Sequence, residues 1–106
     1  MSPNKLGGLL GMCRASGRLT VGFDAVAALC RDSSVLLMLA EDAAARTVRQ
    51  LQFAADGLPV YRIPLSREAV AHAIGSHKPV AVLATADAGF IRALRPFLTI
   101  VQEEES

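Results

Sequence analysis

Arg14, Arg18, Gly22 and Asp24 fall on one short segment, R-A-S-G-R-L-T-V-G-F-D-A-V-A-A from Arg14 to Ala28, whose chemistry suits a polyanion. The segment reads as a basic turn, a very short extended piece, and a helix that starts at or near Gly22. A helix start presents backbone N–H groups without intrahelical partners and carries a partial positive charge, so it attracts phosphate. Up to Phe23 the chain carries Lys5, Arg14 and Arg18 and neither Asp nor Glu. Gly22 has no Cβ to hold off an RNA backbone or base edge. Asp24 can accept hydrogen bonds from the amino and imino donors of guanine. Far along the chain, the turn Ser76-His77-Lys78-Pro79 supplies Lys78 as a further cation, with His77 beside it as another candidate contact. The expectation is that Arg14, Arg18 and Lys78 converge on one face and neutralise phosphates while the Gly22–Asp24 helix start reaches into a groove. Structured RNA is recognised by shape and splayed bases, which suits so small a patch.

Other chemistry finds little support. Neither G-x-x-x-x-G-K-[ST] nor a G-x-G-x-x-G after a strand occurs, so no nucleotide cofactor is expected. His72 and His77 are five apart, straddle a predicted helix end and lack a third ligand, so no metal site is expected either. Glu41 and Asp42 are adjacent and diverge in direction, which favours capping or loop roles over paired acid–base work. The serines have no His and Asp in a recognisable arrangement. Cys13 and Cys30, 17 residues apart with no C-x-x-C, read as two small buried hydrophobes. The expectation is a non-enzymatic protein.

At 106 residues, 52% of them hydrophobic, the chain has room for one domain and one core. A net charge of only +1 argues against bulk electrostatic capture, so nucleic-acid binding has to act through a local patch. The closing Q-E-E-E-S, residues 102–106, reads as a solvated acidic tail, leaving residues 1–101 as the domain. No apolar run reaches the roughly 18–20 residues of a membrane span, and the first residues lack an export signal. A cytoplasmic protein with no membrane partner follows as the expectation.

These residues need elements to position them. Leu6, Leu9, Leu10 and Cys13 follow the i, i+3, i+4, i+7 spacing of a helix face. Gly7, Gly8 and Gly11 sit close together on that helix and cost it ~1 kcal/mol each relative to Ala. Close approach of another backbone is the expected compensation. Leu19 to Val21 is a short strand, and the next helix runs from about Phe23 to Arg31. Ser34 to Ala40, S-V-L-L-M-L-A, is a continuous apolar run of strand length, the mark of a strand covered on both faces. Glu41-Asp42 are placed to cap a helix from Ala43 to Asp56, with Ala45, Val48, Leu51 and Ala55 along one face. Gly57 and Pro59 end it. Val60 to Ile63 is a third strand, Ser66 caps a helix ending near Gly75, and Pro79 to Thr85 is another buried strand. Asp87 caps a last helix that Pro96 ends. Strands alternating with helices predict an α/β/α sandwich around a small, at least partly parallel sheet.

Three segments in order carry a resemblance: L-G-M-C-R-A-S-G-R-L-T-V-G, L-L-M-L-A-E-D-A-A-A-R-T and A-H-A-I-G-S-H-K-P-V-A-V-L-A-T-A-D-A-G-F. They make the chain similar to the ribosomal L-seven-Ae / L-thirty-e family of kink-turn RNA binders, and within it to the small bacterial stand-alone members. The likeness runs from about Leu6 to Leu98. It implies an α/β fold, a three-layer α/β/α sandwich with a four-stranded mixed sheet. It also implies binding to kink-turn or similarly bent RNA, with the ribosome as a further partner in view. The family grips RNA at the start of the second helix, through a G-x-N-E-x-x-K-like motif, and at the loop before the last strand. Those positions fall here on Gly22 and Asp24 and on Ser76-His77-Lys78-Pro79, with the basic turn Gly17-Arg18 ahead of the helix.

This chain departs from the pattern at four places. Ala25 and Ala28 stand where the family has Glu and Lys, and Asp24 stands where Asn is common. Phe23 is a large apolar residue at a position expected to be exposed. Good base contacts are each worth ~1–3 kcal/mol, so loss of the glutamate and lysine weakens kink-turn recognition. The rival reading is a protein-interaction module on the same fold, with Phe23, Ala25 and Ala28 as an apolar docking patch.

Overall fold

The computed structural model describes residues 3–31 and 34–101. The acidic tail read at residues 102–106 lies outside them. The central apolar run becomes β2 (Leu36–Ala40), and all of its residues are buried. Alternation explains why both of its faces had to be apolar. Leu36, Met38 and Ala40 pack in one cluster with Leu6, Leu10, Val70, Ile74 and Leu94. Leu37 and Leu39 pack in a second cluster with Val26, Val48, Leu51 and Ala55. So α1 (Pro3–Ala15), α4 (Arg67–Ile74) and α5 (Ala88–Leu94) cover one face of the sheet, and α2 (Phe23–Leu29) and α3 (Ala45–Ala55) cover the other.

With β1 (Thr20–Val21), β3 (Val60–Ile63), β4 (Val82–Thr85) and β5 (Thr99–Ile100), the sheet has the order β1-β4-β2-β3-β5. β2 and β3 run parallel and the other pairings are antiparallel, so the sheet is mixed and open. It has five strands where four were expected. The additional one is β5, held on the edge through Tyr61↔Ile100 and Arg62↔Thr99. Two exposed residues show neither alternation nor an apolar run, so nothing local separates them from a loop. No helix among the described residues is long and apolar enough to cross a membrane.

Local chemistry sets most of the helix ends. The Ser66 hydroxyl accepts from Ala69 N at 3.0 Å, and Gly75 closes α4 in the left-handed conformation. The Asp87 carboxylate accepts from Gly89 N at 2.8 Å and Phe90 N at 3.2 Å to start α5. The expected cap of α3 is different. Its N-cap is Ala44, with no side chain bonded there, and the predicted core position Ala45 is exposed. Asp42 instead accepts from Arg67 N at 2.8 Å, serving the start of α4 across the sheet edge. Glu41 and Asp42 lie where β2 leaves the sheet, so their direction is set by the β2–α4 packing rather than by the next helix.

α1 crosses α4 at Gly7 and Gly11, two of the three glycines that the spacing groups together. A Cβ built on Gly11 would stand 2.9 Å from Ala73 O, whereas one on Gly8 meets nothing within 4 Å. Gly8→Ala is therefore expected to stabilise the fold by ~0.5–1 kcal/mol through helix propensity. Gly11→Ala is expected to destabilise it by about 1–2 kcal/mol, because backbone must move to admit the methyl. Urea unfolding midpoints should move in opposite directions. A common upward shift would contradict the crossing.

Candidate nucleic-acid interface

Strand pairing decides which of the candidate residues meet. β1 lies antiparallel to β4 through Thr20↔Ala84 and Val21↔Leu83, and Gly22 N then donates to Val82 O at 2.9 Å. Gly22 is thereby held where β4 begins. At this strand-end edge of the sheet, where β2 ends beside the start of β4, Ala40 N donates to Ala81 O at 2.9 Å, Glu41 N to Leu65 O at 2.9 Å, and Val80 N to Arg67 O at 3.1 Å. The edge therefore gathers the start of α2, the exit of β2, the entry to α4, and the residues that directly follow the Ser76–Pro79 turn. These segments are far apart in sequence.

Gly22 has φ 101° and ψ 149°, a conformation in which a side chain is strained. Its carbonyl accepts from Val26 N at 3.0 Å, so it caps α2 with backbone alone, and no side chain caps that helix. Asp24 is exposed in the first turn, where its charge complements the positive helix end. In the second segment, the Ser76 hydroxyl donates to Lys78 O at 3.0 Å and accepts from Lys78 N at 3.3 Å. That pins the turn and leaves His77 and Lys78 exposed. Two further cations stand on this edge without having been singled out in the sequence. Arg62 NH1 donates to Glu41 O at 3.0 Å, and Arg67 Nε lies 3.5 Å from the Asp42 carboxylate. The pairing of β2 with β3 brings Arg62 to the edge, and the backbone bonds of Arg67 with Asp42 and Val80 bring Arg67 there.

Arg14, Arg18 and Lys78 were expected on one face beside the helix start, but the fold sets Arg18 at the other end of β4 from Gly22. Arg18 NH1 pairs with Asp87 Oδ2 at 3.2 Å, beyond the far end of β4. The length of β4, ~10 Å, separates that pair from Gly22. Arg14 is exposed on the last turn of α1, and Arg18 N donates to Cys13 O at 2.9 Å, which ties it to that turn as well. The physical reason is that β1 carries the chain along the length of β4 before α2 begins. Arg18 instead joins the α1–β1 turn to the Asp87 carboxylate that caps α5, and the Asp87 backbone N–H donates to Thr85 Oγ1 at 3.2 Å. Behind this pair Cys13 is fully buried; burial pushes its thiol pKa up from 9.0, and a hydrogen bond with Thr85 pulls the other way. Burial also raises the thiol of half-buried Cys30, and both cysteines are free.

Phe23 is likewise not where the rival reading needs it. It is half-buried against the second core cluster, because it lies three residues before buried Val26 on α2. Ala25 and Ala28 are exposed. The fully presented ring is Phe53 on α3, 88% exposed. No group of three His, Cys, Asp or Glu that could hold a metal ion occurs among the described residues.

No family model matches the chain, and no curated protein matches it. Among solved structures it is similar to a protein of unknown function from Bacillus halodurans, at 30% identity and a TM-score of 0.75. The match covers 88% of this chain and 95% of that one. With likeness of that extent and identity, the chain belongs to the same family as this Bacillus halodurans protein.

Proposed function

We propose that this chain is a non-enzymatic RNA-binding protein of the ribosomal L-seven-Ae / L-thirty-e type, a three-layer α/β/α sandwich that recognises kink-turn or similarly bent RNA. Structured RNA in the cytoplasm, including that of the ribosome, is the partner class. The contacts are the Gly22–Asp24 helix start and the Ser76–Pro79 turn with His77 and Lys78. One observation carries the reading. The hydrogen bonds Gly22 N to Val82 O and Val80 N to Arg67 O bring to one sheet edge the two segments that the family resemblance assigns to RNA. α2 is only seven residues long, so its dipole is short and the juxtaposition matters more than the helix end. Arg14 and Arg18 stand apart from this edge and serve at most as outlying phosphate contacts.

Titration of a kink-turn RNA against a scrambled hairpin, at two salt concentrations, tests this. The protein is expected to prefer the kinked RNA. Lys78→Ala should weaken binding severalfold and reduce the salt slope by ~1, as for one lost phosphate contact. Arg18→Ala should leave the preference intact and cost no more than ~1 kcal/mol of stability, since its ion pair is largely exposed. Equal binding of both RNAs, or none, would sink the proposal.

A further inference from the structure

We infer that the outward stripe of α3, formed by Arg46, Arg49, Gln50 and Phe53, is a second RNA surface that stacks an unpaired base from the strand flanking the bent element. The inference rests on the RNA-binding reading above and extends it to a different helix. α3 buries Val48, Leu51 and Ala55, and the four stripe residues are all exposed. At 100° per residue those four fall on the side opposite the buried three. Between Ala45 and Ala55 the helix carries two arginines, two glutamines and no carboxylate.

Phe53 is 88% exposed, against 61% for Met12 and 47% for Ile100. A lone exposed apolar residue is ordinary. Here, though, the neighbours at three, four and seven positions before the ring are an amide and two guanidiniums. That combination offers a π-face flanked by cations, which complements a base and its phosphates. It does not form the contiguous apolar patch that a protein groove would cover. The stripe also starts in the right place. Arg46 lies in the first turn of α3, which follows the exit of β2 at the same edge as Gly22, and Phe53 stands ~10 Å further along the helix axis. RNA held at the edge can therefore continue along α3, as far as exposed Asp56 at the helix end.

The test uses a labelled kink-turn RNA in two forms, blunt and extended by roughly six unpaired nucleotides. Phe53→Ala is expected to lower affinity for the extended RNA about tenfold and to leave the blunt RNA unchanged, with Phe53→Tyr restoring the loss. Arg49→Gln should weaken the extended RNA alone. If wild-type protein binds both RNAs and Phe53→Ala changes neither, or changes both equally, the α3 surface is refuted while the RNA reading stands. If the RNAs are unaffected but Phe53→Ala shifts the molecular mass in solution, the ring serves protein contact and the inference is overturned. Absence of wild-type binding to either RNA overturns both readings.

Discussion

Joint replacement of Ala25 by glutamate and Ala28 by lysine is expected to raise affinity for a kink-turn RNA by roughly tenfold to a hundredfold over the unaltered chain. Both alanines are exposed, and three positions on a helix place them on one face. The intervening Val26 is fully buried and keeps α2 seated while its outer surface changes. Gly22 sets where that helix begins, so the new side chains project from a defined edge next to β4. The substitutions also suit the helix itself. A glutamate in the first turn complements the positive end, a lysine near Leu29 complements the negative end, and the two form an i, i+3 pair. Stability should therefore change by no more than a few tenths of a kcal/mol, which keeps the binding measurement clean. The control is the scrambled hairpin, whose affinity should change far less. A stably folded double variant with no gain for the kinked RNA would argue that this edge does not hold RNA in the family's manner.

Truncation of Leu39 to alanine is expected to cost about 2–5 kcal/mol and to lower the melting temperature by roughly 10–30 °C. Leu39 is fully buried on β2, the strand between β4 and β3, and packs among Val26, Val48 and Leu51 beneath α2 and α3. Close packing on that side leaves a cavity that the surrounding helices cannot fill. Ile100→Ala provides the contrast. That residue lies on β5 at the sheet edge and is 47% exposed, so its truncation should cost less than about 1 kcal/mol. Thermal or urea unfolding of both variants checks the arrangement. Equal losses would mean that the edge strand contributes as much as the centre, contrary to this topology.

The two variants probe different depths of the same fold. Leu39 reports the core beneath α2 and α3, and the alanines on α2 report the surface that this core presents. Neither depends on Arg18, which the ion pair with Asp87 holds at the other end of β4. A loss of stability in Arg18→Ala and a loss of RNA binding in Lys78→Ala would thus be separable effects of two cations that looked alike in the sequence.

What the amino-acid order determined by itself is what depends on neighbours a few residues apart. The apolar run at Ser34–Ala40 demanded a strand covered on both sides, and β2 is buried throughout. Ser66 and Asp87 capped the helices that follow them, and the crowded glycines of α1 marked a close crossing with α4 at Gly11. These are effects of periodicity, capping and backbone bulk, all acting within one or two turns. Only the tertiary structure decided which distant groups meet. It turned Asp42 toward Arg67, gave Arg18 to Asp87, added β5 to the edge of β3, and tucked Phe23 against the core while presenting Phe53. The reason is that strand register and helix packing are set by contacts across the whole sheet, so the place of a charge or a ring in space depends on partners tens of residues away.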